Sequence, residues 1–252
     1  KRMFIDTCSF NSSIENWDVS NVTSMEKLFW GMNCKKPWSG ENYCFDTMTQ
    51  FNQPLNHWDV SKVKNMENVF SALLFFNQPL DRWDVSSVTS MAGMFGQCPL
   101  FNQDIGNWVV SNVTTMEGMF LSCSAFNQDL SKWDVSKVTN MAMMFKLASK
   151  FNQDLSKWNI SNVVNLNEMF YLALSFDQDL SGWKPKGIKN GDNVSMMLEQ
   201  SGMALSFGGS NNNNERKKGN ICKVYSSNNW SKLCGNNPWA SLFYYNNQIA
   251  PC

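Results

Sequence analysis

A chain of 252 residues with 43% hydrophobic and 13% aromatic content can bury a sizeable core as one extended domain, which excludes the disordered class. Formal net charge is zero, but residues 1–183 carry 13 Lys and Arg against 18 Asp and Glu, while residues 184–252 carry 8 against 3. A long acidic body argues against a duplex-binding face, and no run of eighteen apolar residues exists to span a membrane.

The chain begins Lys1-Arg2 without Met, the expectation for a processed or trimmed product whose leader or anchor is already gone. A period then governs the sequence. Trp58, Trp83, Trp108, Trp133, Trp158 and Trp183 fall 25 residues apart, and Trp17 lies one unit earlier once a 16-residue insertion is subtracted, giving seven units. In the fifth, Trp133, Val135, Ser136, Val138, Met141 and Phe145 occupy offsets that recur in the others. Such units cannot bury an apolar face alone and must stack on their neighbours.

Within a unit, Trp133 and Val135 alternate with Asp134 and Ser136, the period of a half-buried strand. Met141, Met144 and Phe145 then fall at i, i+3 and i+4, the spacing of an apolar helical face. Thr23-x-x-Glu26 and Thr114-x-x-Glu117 match a helix capping box. The reading predicts a leucine-rich-repeat-like solenoid over 1–190, with a parallel β-strand ladder, one short helical turn per unit and an insertion at 30–50. In a stack with strands roughly 4.8 Å apart, like residues form ladders. Asn52, Asn77, Asn102, Asn127 and Asn152 would then hydrogen-bond backbone groups of adjacent turns, with the Gln ladder from Gln53 to Gln178 sharing that task.

Two carboxylate columns follow from the same register: Asp18, Asp59, Asp84 and Asp134 after the tryptophans, and Asp104, Asp129, Asp154 and Asp179 after the glutamines. Ca²⁺ could answer their repulsion, but an Asx-turn to the amide two residues on needs no metal, and no metal site is expected. His57 occupies the variable slot before Trp58, filled elsewhere by Arg82, Asn107, Lys132, Lys157 and Gly182, and reads as an outward, solvated side chain. Repeated carboxylates give no distinct acid and base, and no phosphate loop, nucleophile elbow or HExxH occurs, so neither catalysis nor a cofactor is expected.

Eight cysteines and the sequons at Asn11, Asn21, Asn112, Asn193 and Asn229 point to an oxidising, extracellular setting. Asn21 and Asn112 sit in the repeat's own "SNVT" phrase and equally read as polar turn residues. Cys34 and Cys44 bracket the insertion and would close a local loop. Cys98 and Cys123 share one register position, and either stack as buried thiols or bridge neighbouring turns. Cys222, Cys234 and Cys252 leave an odd thiol that Cys8 or another chain could pair. With no CxxC pair and a single His, zinc is not expected. From Lys184 the repeat fades, and 191–252 reads as a disulfide-rich C-terminal cap or, through aromatic residues including Trp230 and Trp239, a docking segment.

The phrase "FNQDLSKWDVSKVTNMAMMF" resembles the 25-residue repeat of mycoplasma surface lipoproteins, a branch of the BspA-like leucine-rich repeat family, over residues 10–183. That resemblance implies a right-handed leucine-rich solenoid on secreted or surface-attached proteins, often linked to adhesion, with no catalytic residues to carry over. Two functions follow as expectations. One is a non-enzymatic extracellular or cell-surface scaffold that engages a protein or glycan through exposed slots such as Arg82, Lys132, Lys137 and Lys157. The other is a homo-polymer in which the acidic body and basic tail attract head to tail.

Overall fold

The computed structural model describes residues 3–4, 10–30, 50–188, 191–194 and 196–202. Successive 25-residue units lie against one another in register. Ser24, Asn65, Ser90, Thr115, Asn140 and Asn165 form one row of parallel contacts, and each is an isolated bridge. Among the described residues there is no continuous strand, and the sole helical element is the 3-10 turn Gly191–Val194.

The expected leucine-rich-repeat-like solenoid, with its parallel β-strand ladder and short helical turns, is therefore corrected. The physical reason is an alternation of amide partners. In the fifth unit the amides of Met141, Met143, Phe145 and Leu147 donate across to the carbonyls of Asn165, Asn167, Met169 and Tyr171 at 2.8–3.0 Å. The intervening amides of Met144, Lys146 and Ala148 donate back three residues, to Met141, Met143 and Phe145. Half of the donors close tight turns and half join the next unit, so neither an i→i−4 helix nor a continuous ladder forms.

These turns place the residue two after the buried Met or Leu at positive φ, between 52° and 61° in Lys27, Asn68, Gly93, Gly118, Met143 and Glu168. A second such position recurs in Ala72, Gln97, Ser122, Leu147 and Leu172. Most of these are not glycine, and a left-handed conformation costs an L-residue about 1–2 kcal/mol. The capping boxes dissolve for the same reason: Thr23 to Glu26 and Thr114 to Glu117 open turns and cap no helix.

The core compensates. Trp, Val, Met, Phe and Leu columns from Phe51 to Trp183 are each 5% exposed or less. Two phenylalanine columns interleave: Phe120 stacks on Phe126 at 4.0 Å and on Phe145 of the next unit at 5.6 Å. The 16-residue excess before Gln50 leaves the register untouched, because Met25 donates to Asn65 as Met91 donates to Thr115. At the far end, Leu166, Phe170 and Leu172 donate to Asn193, Met197 and Glu199. Val194, Met197, Leu198 and Ser201 are buried there, so residues 191–202 add one more layer to the stack.

Candidate functional site

Each interior column is satisfied by its neighbour. The indole N–H of Trp133 donates to Ile105 O at 3.1 Å, that of Trp158 to Leu130 O at 3.0 Å and that of Trp183 to Leu155 O at 2.9 Å. The asparagine ladder runs as its sequence implies. Asn127 Oδ1 accepts both the Asn152 amide and Gln153 Nε2 at 2.9 Å, and Asn102 serves Asn127 and Gln128 in the same way. These polar letters hold the frame.

The carboxylate columns are Asx-turns. Asp59, Asp84 and Asp134 accept the amides of Ser61, Ser86 and Ser136 at 3.0 Å, and Asp129 and Asp154 accept those of Ser131 and Ser156 at 2.8 Å. Hydrogen bonds from those serines hold Asp59, Asp129, Asp134 and Asp154 below the ordinary carboxylate range, and Ser20 does the same for Asp18. Among the described residues no group of three or more His, Cys, Asp or Glu could hold a metal ion, and no helix is long and apolar enough to cross a membrane.

Arg82, Lys132, Lys137 and Lys157 are exposed. Lys132 Nζ donates to Asn107 Oδ1 at 3.1 Å and Lys137 Nζ to Asn112 Oδ1 at 2.8 Å, so two of these side chains lie along the stack. His57 faces solvent beside Glu15 at 3.4 Å. Asn112 Nδ2 donates to Ser86 O, Asn21 Oδ1 receives Lys62, and Asn11 Oδ1 receives Gln53. Asn193 is half-buried in the last layer. Cys98 and Cys123 are free, fully buried thiols, correcting the bridged alternative. Their Sγ atoms donate to Phe70 O and Phe95 O at 2.9 Å, and burial pushes the Cys98 thiol up to about 12 and also raises the Cys123 thiol well above the ordinary range. Cys8, Cys34, Cys44, Cys222, Cys234, Cys252, Asn229, Trp230 and Trp239 lie outside the described residues.

One feature was not anticipated from the sequence. On the turn face, where other units carry Lys27, Asn68, Met143 and Glu168, two adjacent units carry Gly93 and Gly118. The neighbouring rows shrink too, to Ala92 and Gly96, where other units have Glu67 or Lys146. The result is an open groove of about 280 Å³. Trp30 and Met143 line it together with Asn68, Gln97, Glu117 and Leu121. Its only sequence signal was the cluster of small residues between Ala92 and Gly118.

A family model described as "Mycoplasma protein of unknown function, DUF285" matches residues 1–36, 41–121 and 100–207. No curated protein matches the chain.

Proposed function

We propose, for a chain that belongs to the family described as Mycoplasma protein of unknown function, DUF285, a non-enzymatic recognition module displayed outside the cell that engages a protein or glycan. The supporting observation is a division of labour within each repeat. Columns such as Trp83, Trp108 and Trp133 are buried and nearly constant, whereas the slot before the tryptophan changes through His57, Arg82, Asn107, Lys132 and Lys157 and faces solvent. A constant frame with variable exposed side chains suits recognition, because function can change without disturbing stability. Resemblance of the repeat phrase to that of BspA-like surface proteins supports placement at the cell surface. The test is binding of the labelled chain to cultured epithelial cells: saturable binding, competed by unlabelled chain, is expected, and non-saturable binding equal to that on blocked plastic removes the reading.

A second reading, self-association into a filament, is favoured by the exposed Trp17 at 43% and Met3 at 60% on the first turn. Ile14 there is buried and Phe10 stacks on Phe4 at 4.4 Å, which narrows the apolar surface on offer. Light scattering across concentration and salt decides it. A polymer supports assembly, and a monomer near 28.8 kDa ends it.

A further inference from the structure

We infer that the groove between Trp30 and Met143 is a subsite for an uncharged oligosaccharide. The inference rests on the recognition reading above and names the ligand class for one face of the stack.

The glycines at its floor are the first argument. The left-handed conformation does not by itself demand glycine here, since Lys27, Asn68, Met143 and Glu168 adopt it at the same register position. Nor does packing demand it at Gly118, where an added Cβ would meet only Leu121 Cβ at 3.8 Å. What glycine supplies at Gly118 is open space on the face. Gly93 differs, because Asn68 Oδ1 lies 2.2 Å from where its Cβ would stand. The Asn68 side chain thus folds over the glycine at the groove wall.

Chemistry selects the occupant. An extended peptide would need backbone partners, and the floor has none to give: Gly93 N donates to Glu117 O, Gly96 N to Gly93 O and Gly118 N to Ala142 O. An anion would find those amides spent and the Glu117 carboxylate on the wall. Asn68 and Gln97 side chains have no hydrogen-bond partner among the described residues, and Glu117 commits Oε2 to Asn140 Nδ2. Two amides and a carboxylate oxygen beside the apolar surfaces of Trp30, Leu121 and Met143 match a sugar, which presents C–H faces to an indole and hydroxyl edges to amides. Lys27 Nζ, 5.0 Å from the Trp30 ring centre, helps to hold that indole in place.

The experiment is interferometry of the whole 252-residue chain over immobilised neutral oligosaccharides: maltohexaose, a chitin tetrasaccharide, tri-N-acetyllactosamine and a high-mannose glycan. An overlapping-peptide library and hyaluronan serve as the rival classes. At least one neutral sugar is expected to bind, with Gly118→Met weakening it about tenfold or more and Gln97→Ala by a smaller factor. Gly118→Met places in the fourth unit the residue that the fifth already carries there, so it folds, and a thermal melt checks this. Lys150→Ala, exposed and outside the groove, leaves binding unchanged. Sugar binding indifferent to Gly118→Met overturns the groove, as does peptide or hyaluronan binding that Gly118→Met removes. Saturable cell binding that survives Gly118→Met, with no sugar bound, overturns the groove and leaves the recognition reading standing. Absence of both cell and sugar binding removes the two together.

Discussion

The first repeat and the fifth are written in nearly the same letters, "WDVSNVTSM" beside "WDVSKVTNM", yet their tryptophans differ in burial. Trp133 is 3% exposed and its indole N–H reaches Ile105 O, 28 residues back. Trp17 is 43% exposed, and no described coil precedes it to supply that carbonyl. Position in the stack, more than local sequence, decides what a residue is worth. Each unit completes the one before it and is completed by the one after.

That contrast can be broken most forcefully at the tryptophans. Trp133→Ala removes a buried ring and one of the two hydrogen bonds to the Ile105 carbonyl, which keeps the Trp108 amide, and is expected to cost about 3–5 kcal/mol by urea denaturation. Trp17→Ala is expected to cost about 1 kcal/mol or less, and equal losses at the two sites would sink the comparison. Next in size is the polar ladder. Asn127→Ala deprives the Asn152 amide of its acceptor and Gln153 Nε2 of one of its two, for an expected loss of about 1–2 kcal/mol. Asn11→Ala, at the exposed first rung, should lose less.

Strain gives a smaller effect of opposite sign. Ser122 sits at φ 59°, and Ser122→Gly is expected to raise stability by up to about 1 kcal/mol, whereas Gly93→Ala must lower it against Asn68. Smallest per residue is the pH dependence. Serine hydrogen bonds depress Asp129, Asp134 and Asp154 in the folded state, so their contribution is present above the unfolded carboxylate value and lost as pH falls through the folded one. The unfolding midpoint should be flat from pH 7 to 5 and drop below about pH 4. A midpoint unchanged at pH 3 would refute the Asx-turn account.

The period, the buried columns, the asparagine ladder and the Asx-turns were legible because each depends on residue type at a fixed register. The local conformation was not. Met141, Met144 and Phe145 are all buried, as their spacing implied, but tandem turns bury them where a helix was expected. The reversal turns on Met143 and Leu147 at positive φ, and nothing in a methionine or leucine announces a left-handed backbone. Gly93 and Gly118 were the hint, and the same two residues mark the groove. Residues 191–202, read from the sequence as the start of the cap, did not show their place in the register because three extra residues precede them: Leu166 bonds 27 residues ahead where Met141 bonds 24.

The even spacing of cross-unit bonds also bears on how quickly the chain can acquire its structure. Outside the first junction, the described lateral partners lie 22 to 29 residues apart, about a tenth of the chain length. Beyond that junction, no described unit bonds to a distant segment, so loop-closure entropy stays small and nearly constant from step to step. Any adjacent pair can nucleate, and growth then proceeds one coil at a time from either side. A chain built this way can order itself progressively, unit by unit, as it emerges from a ribosome.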